Sequence, residues 1–273
     1  MTLSPNRCRL LMRIAVIGQA KSGTTALFSS VLQGLAGKVD TIFEPHQKQH
    51  LEGVYSVKPG YDHTLAKILI GQIHQFGIDT SRIEKAILIV RDPRDNLVSR
   101  LLYRANLFQK QNDSQSFNKF LKLIKLKVEK PDAISVKYLF EETATLLGRN
   151  ASFGIGFGLK KSCLNTVDFA KTSAELFIVK YENYIDGHIN DLVDYLGFNI
   201  NCNVTVSEKL KRVERSKSYG EWRNWFTDED IAFFKPIFHD YINFFGYEND
   251  YSLFSRKPIN RITSVDYIQQ FAP

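Results

Sequence analysis

The stretch G18-Q-A-K-S-G-T-T25 follows the apolar run I14-A-V-I17 and opens a helical pattern. A Walker A loop reads G-x-x-x-x-G-K-[ST], its backbone N–H groups surrounding phosphate oxygens. Gly18 and Gly23 keep that spacing and Thr25 fits the last place, but Thr24 stands where the lysine belongs and Lys21 comes three residues early. The pattern is strand, anion loop, helix, with its cation placed for a shorter anion than a nucleoside triphosphate. A Gly/Ser/Thr turn that only caps a helix is the plainer alternative. The buried strand before it, with Gly18, Lys21 and Gly23 all in place, argues against that.

Working outward, apolar periodicity gives a strand over 13–18 and a helix over 23–36 with Leu27, Val31, Leu32 and Leu35 on one face. A second strand, V39-D-T-I-F-E-P45, ends at Glu44. A third is expected in G53-V-Y-S-V-K-P-G60, followed by a helix over 62–76. The unbroken run over 86–90 reads as a strand buried on both faces. Asp92-Pro93 then supplies an N-cap and first helical residue. Residues 175–184 repeat the buried-strand pattern, and helices are expected near 188–196 and over 228–245.

Strands alternating with helices predict an α/β fold: three layers, α/β/α, around a central parallel sheet with a P-loop-like loop. Ligands of such sheets bind at the carboxyl ends of the strands. The loop, Glu44, Arg91 and Tyr181 all fall at such ends. One domain spanning 1–273 is expected, with a mostly helical acceptor-side segment around 104–174. There Phe117, Phe120, Leu121, Ile124 and Val128 form an apolar stripe, with Lys119, Lys122, Lys125 and Lys130 on other faces. Those lysines read either as a solvated face or as a surface for an anionic acceptor.

Net charge is +7, with 44% hydrophobic and 24% charged residues. The excess favours an anionic partner without choosing among nucleic acid, anionic membrane surface and small polyanion. No recognisable nucleic-acid motif is present. The longest apolar runs fall short of a membrane span, and the arginine-flanked start lacks a cleavage site; a cytoplasmic location is expected. Cys8, Cys163 and Cys202 form neither a disulfide framework nor a metal pattern. The sequons at 112–114, 150–152 and 203–205 read as chance matches.

A-K-S-G-T-T (20–25) resembles the first motif of sulfotransferases that use 3′-phosphoadenosine 5′-phosphosulfate (PAPS), with Ala20 for the usual proline. The resemblance implies that Lys21, Ser22, Gly23, Thr24 and Thr25 bind the 5′-phosphosulfate and that Lys21 assists transfer. V90-R-D-P-R-D-N-L-V-S99 matches the second motif, which implies that Arg91 and Ser99 bind the 3′-phosphate. Arginine's planar fork suits phosphate oxygens; an Arg91–Asp95 ion pair with a surface Ser99 is the alternative. The stretch 177–198, F-I-V-K-Y-E-N-Y-I-D-G-H-I-N-D-L-V-D-Y-L-G-F, is similar to a third motif and implies an adenine contact for Tyr181, which a plain core tyrosine would also explain. R215-S-K-S-Y-G-E-W-R-N-W-F-T227 is similar to a fourth, with Arg215 at a phosphate position and Lys217 near a displaced charge.

Two departures bear on the site. The cytosolic branch carries a tryptophan after G-T-T, where this chain has Ala26, so another group must stack on the adenine. That branch takes its base from a histidine two residues after a lysine. The comparable V57-K-P-G60 offers Lys58 and Gly60 instead. F43-E-P45 is similar to the carbohydrate and bacterial branches, which implies Glu44 as base, with His46 and then His50 behind it. The family implies PAPS as co-substrate, PAP as product, no metal, and a hydroxyl acceptor, on branch analogy a glycan or glycolipid. A Mg²⁺-dependent NTP kinase, a non-catalytic PAP-binding module and a nucleic-acid binder are the rival readings.

Overall fold

The structure, a computed structural model, describes residues 11–149, 155–206, 208–253 and 257–273. Cys8 and the sequon at 150–152 lie outside them. In chain order the regular elements are β1 (Met12–Gly18), α1 (Thr24–Gly34), β2 (Val39–Phe43), α2 (Lys48–Glu52), β3 (His63–Leu69), α3 (Ile70–Phe76), β4 (Lys85–Val90), α4 (Pro93–Tyr103), α5 (Ala105–Gln111), α6 (Ser114–Glu129), α7 (Val136–Leu146), α8 (Ile155–Thr172), β5 (Leu176–Lys180), α9 (Tyr181–Ile185), α10 (Asn190–Leu196), α11 (Trp222–Trp225), α12 (Asp228–Phe245) and α13 (Tyr267–Gln269).

The five strands form one sheet of order β2-β3-β1-β4-β5, and the β2–β3, β3–β1 and β1–β4 pairs are parallel. With helices flanking it, this is an α/β fold. Two compact units are distinguished. The first comprises 1–19, 23–89 and 170–206; the second comprises 20–22, 90–169 and 207–273.

The first unit is built on the sheet. Ile14 and Val16 of β1, Leu65 of β3, Ile87 and Ile89 of β4 and Val179 of β5 share one core cluster. Leu27, Phe28 and Val31 of α1, Tyr181 and Tyr184 of α9, and Leu192 and Leu196 of α10 complete it. The intervening residues Ala15, Ile17, Ala66, Ile68, Ala86 and Leu88 are also buried, so the central strands read as continuous apolar runs.

The chain departs from the periodicity between 53 and 76. Residues 53–55 form a 3₁₀ turn, and 63–69 are the third strand where a helix was expected; only 70–76 are helical. The reason is that two polar residues of β3 are satisfied from outside it. Thr64 Oγ1 donates to the Ser56 carbonyl at 2.7 Å, and the buried Lys67 ammonium pairs with Glu44. Thr64 and Lys67 break what would be an apolar strand run, and the remaining apolar residues mimic a helical repeat.

The second unit is helical apart from its loops. Phe117, Phe120 and Ile124 of α6 are buried, whereas Lys119, Lys122 and Lys130 are exposed. Lys127, fully buried, closes α6 by donating to the carbonyls of Pro131 and Ile134 at 2.5 and 2.6 Å. Asp230 of α12, also fully buried, accepts from the N–H groups of Val136 and Lys137 at 2.8 Å and so ties α12 to the start of α7. Among the described residues no helix is long and apolar enough to cross a membrane.

Candidate active site

In the first unit, β1 ends at Gly18 in register with Leu69 of β3, at the carboxyl edge of the sheet. Gly23 caps α1 without any side-chain hydrogen bond to the first turn, and no acid lies in that turn. Free N–H groups and the positive end of the helix dipole therefore remain for an anion. Gly23 has φ +96, and a Cβ built there would lie 2.4 Å from the Tyr181 ring. Only glycine fits, for both reasons. Thr24 and Thr25 are buried at the start of α1. Tyr181 is buried in the core cluster with its ring against Gly23.

Glu44 follows β2 with φ +48, its N–H donating to the Lys67 carbonyl at 2.8 Å. Its carboxylate pairs with the Lys67 ammonium, which also lies 4.3 Å from the centre of the Phe43 ring. The lysine lies almost wholly inside while the carboxylate is partly open to solvent. The turn at 58–60 is not part of the sheet; Lys58 is solvent-facing and pairs with Asp40 at 2.9 Å. On the strand that does form, the lysine is Lys67, and Leu69 stands two residues later. His46 and His50 are exposed.

In the second unit, three segments far apart in sequence are joined by hydrogen bonds. Arg91, buried directly after β4, donates from Nη1 to the Lys21 carbonyl at 3.1 Å and from Nη2 to the Ser218 carbonyl at 3.0 Å. Asn96 Nδ2 donates to the Ala20 carbonyl at 3.0 Å. Lys21 has φ +68, and its ammonium donates to the Val213 carbonyl at 2.8 Å while sitting 4.3 Å from the centre of the Tyr103 ring. A left-handed, non-glycine residue is strained, a cost tolerated where surrounding contacts over-determine it. Ser22 and Ser99 are buried.

Segment 215–222 is held by the other residues of R-D-P-R-D. Asp95 accepts from the N–H groups of Gly220 at 2.6 Å and Trp222 at 3.0 Å. Burial, with the nearby Asp92 charge, pushes the Asp95 carboxyl up to about 6; Arg91 opposes this. Asp92 caps α4 and pairs with Arg94, which also donates to the Asp250 and Glu248 carbonyls and stacks on Trp222 and Tyr251. Burial would lower the Arg94 pKa, but the hydrogen bonds and charge of Asp92 outweigh it and the net shift is upward.

Arg215 Nη1 donates to Glu221 Oε2 at 2.8 Å and to the Thr263 carbonyl at 3.2 Å. Its Nε is buried and meets no hydrogen-bond acceptor among the described residues. A buried donor on a guanidinium left in this state fits a place where a ligand oxygen belongs. Lys217, with φ +45, pairs with Glu214 at 3.5 Å. No cluster of metal-ligating side chains occurs among the described residues.

The second unit contains Lys21, Ser22, Arg91, Ser99, Arg215 and Lys217, of which Arg91 is hydrogen-bonded to the Lys21 carbonyl, and the first contains Gly23, Thr24, Thr25, Glu44 and Tyr181. Residue-type reasoning missed Lys67, Tyr103 and Asn96. A lysine inside an apolar strand was the available signal for Lys67.

By fold, the protein is an α/β protein with a central parallel sheet flanked by helices. Among solved structures it is similar to mouse sulfotransferase SULT7A1 complexed with PAP, at 15% identity over 84% of each chain with a TM-score of 0.49. No family model matches the chain, and no curated protein matches it. The residues, not this distant likeness, carry the functional reading.

Proposed function

We propose that the chain is a PAPS-dependent sulfotransferase acting on a hydroxyl acceptor, with a glycan or glycolipid as the favoured class. The observation that carries the proposal is Arg91 bridging the Lys21 and Ser218 carbonyls, which links the loop motif to the segment bearing Arg215. An ATP loop with a displaced lysine gives no reason for that linkage; a nucleotide with a phosphate on the ribose and a short 5′ arm does. The unsatisfied Nε of Arg215 and the uncapped α1 N-terminus supply two separate demands for anionic oxygen.

PAPS, when bound, supplies a transferable sulfuryl group on a phosphate leaving group. The acceptor oxygen forms the new S–O bond as the S–O bond to the 5′-phosphate breaks, and the acceptor proton passes to Glu44. Lys21 and the loop N–H groups meet charge gathering on the departing phosphate oxygen, where preorganised donors are worth several kcal/mol. Arg91, Ser99, Arg215 and Lys217 hold the 3′-phosphate. Tyr181 supports the adenine end and the loop together. Lys67 orients Glu44 through their ion pair. A loose sulfuryl transfer, by analogy with phosphoryl transfer, asks little of the base until late in the step.

The test is thermal shift with PAP against ATP–Mg²⁺, followed by transfer from ³⁵S-labelled PAPS to an acceptor panel. Stabilisation by PAP at concentrations near its Kd, lost in Arg91→Gln, is expected. Stabilisation by ATP–Mg²⁺ alone overturns the proposal, and PAP binding without transfer to any acceptor reduces it to a binding module.

A further inference from the structure

Beyond the residues already assigned, Arg100 of α4 and the C-cap residue Arg104 have no acidic counterpart among the described residues. Arg100 and Arg104 are spaced i, i+4 and so share a face of α4. Arg104, the C-cap residue, donates from Nη1 to the Phe140 carbonyl at 2.8 Å, and its guanidinium lies 4.2 Å from the centre of the Phe140 ring. That contact turns it toward α7. Arg149, exposed and shortly after α7, lies within Coulombic range of Arg104, as Arg100 does.

The environment penalises these charges. Burial pushes the Arg100 guanidinium down, opposed only by Cys163 of α8. Burial and repulsion from Arg100 and Arg149 push Arg104 down to about 10. No ion pair joins any of the three to a carboxylate among the described residues. Residues 150–154, which follow Arg149, read Asn-Ala-Ser-Phe-Gly and contain no acid. Like charges brought together under partial burial, without a carboxylate to offset them, repel; a bound anion removes the penalty.

The position of the cluster gives it a role. Tyr103, whose ring lies under the Lys21 ammonium, is three residues from Arg100 and adjacent to Arg104. The cluster is therefore within about one helical turn, roughly 5 Å along the axis, of Tyr103, the residue whose ring meets the Lys21 ammonium. It is not among the residues assigned to the nucleotide.

We infer that Arg100, Arg104 and Arg149 form an anion subsite for the acceptor, so that the molecule sulfated carries a carboxylate, or a phosphate or sulfate ester, beside its reacting hydroxyl. The inference rests on the sulfotransferase reading, and it narrows a glycan acceptor to an acidic one.

Calorimetric titration with sodium sulfate at low ionic strength, with and without saturating PAP, tests it. Wild type is expected to show a sulfate-binding event that persists when PAP is present. That event weakens at least tenfold in Arg100→Gln/Arg104→Gln and less in Arg149→Gln, with PAP affinity within twofold of wild type. Arg149 is exposed, so Arg149→Gln gives a readout even if the double variant does not fold; folding is checked by thermal melt, where loss of repulsion predicts an unchanged or higher Tm. A parallel titration with sodium acetate separates a carboxylate acceptor from an ester. Sulfate binding equal in wild type and both variants, or absent in wild type, overturns the subsite. Failure of wild type to bind PAP overturns the nucleotide reading instead, and the PAP-free titration still reports on the arginines.

Discussion

Asp95 makes a sharp prediction about stability and pH. Its carboxyl is buried, holds the N–H groups of Gly220 and Trp222, and titrates near 6 rather than at its ordinary 3.8. The folded protein therefore takes up this proton more readily than the unfolded chain does. The sign follows: Asp95 contributes stability fully present below about pH 4, and that contribution is lost as pH rises through about 6. A shift of about two units corresponds to about 3 kcal/mol between those limits. Asp95→Asn removes the titration. The amide oxygen can still accept from one of the two N–H groups, while the amide nitrogen faces the other, a pH-independent cost of about 1–3 kcal/mol measured against the protonated wild type. The variant should be about 1–3 kcal/mol less stable than wild type at pH 4 and equal or slightly more stable at pH 7. Urea unfolding at half-unit steps from pH 4 to 8, read as the difference between the two proteins, isolates Asp95 from the other carboxylates. Parallel curves, with a pH-independent difference, would refute the reasoning.

Two further outcomes follow from the first unit. Gly23→Ala places a methyl group 2.4 Å from the Tyr181 ring at φ +96, so a loss of about 1–3 kcal/mol is expected, with loss of the PAP-induced thermal shift. Full stability with normal PAP binding would show that the loop does not need its left-handed glycine. Glu44→Gln removes the carboxylate from the buried Lys67 ammonium and should destabilise by about 1–3 kcal/mol, less than for a fully enclosed pair because the carboxylate is partly open. Lys67→Met on that background should restore most of the stability without restoring transfer, a double-mutant cycle that separates structural cost from loss of the base. Recovery of transfer in the double variant would remove Glu44 from the mechanism.

The sequence made the sheet edge legible where apolar runs met punctuation. The β1–loop–α1 passage shows in its glycines, and β4–α4 shows in Asp92-Pro93, which does cap the helix. β3 was hidden because Thr64 and Lys67 find partners at Ser56 and Glu44, and such pairings leave no local trace. The R-D-P-R-D stretch was legible as a motif but not as a latch. An Arg91–Asp95 pair was the natural alternative, whereas Arg91 bonds to two carbonyls and Asp95 to two N–H groups, all from segments distant in sequence. The half-burial of Arg100 and Arg104 depends on packing that no window of sequence contains.

The hydrogen bond from Lys21 to the Val213 carbonyl has a consequence for the order of events during synthesis. A ribosome delivers the loop well before the carbonyls that fix Lys21 and Arg91, which belong to Val213 and Ser218, nearly two hundred residues after the loop. Arg94 is closed later still, by the carbonyls of Glu248 and Asp250. The nascent chain can therefore form β1 and α1 early, before the Val213 carbonyl that holds the Lys21 ammonium has been made. A chain ended before residue 213 would retain all five strands of the sheet and lack the grip on Lys21.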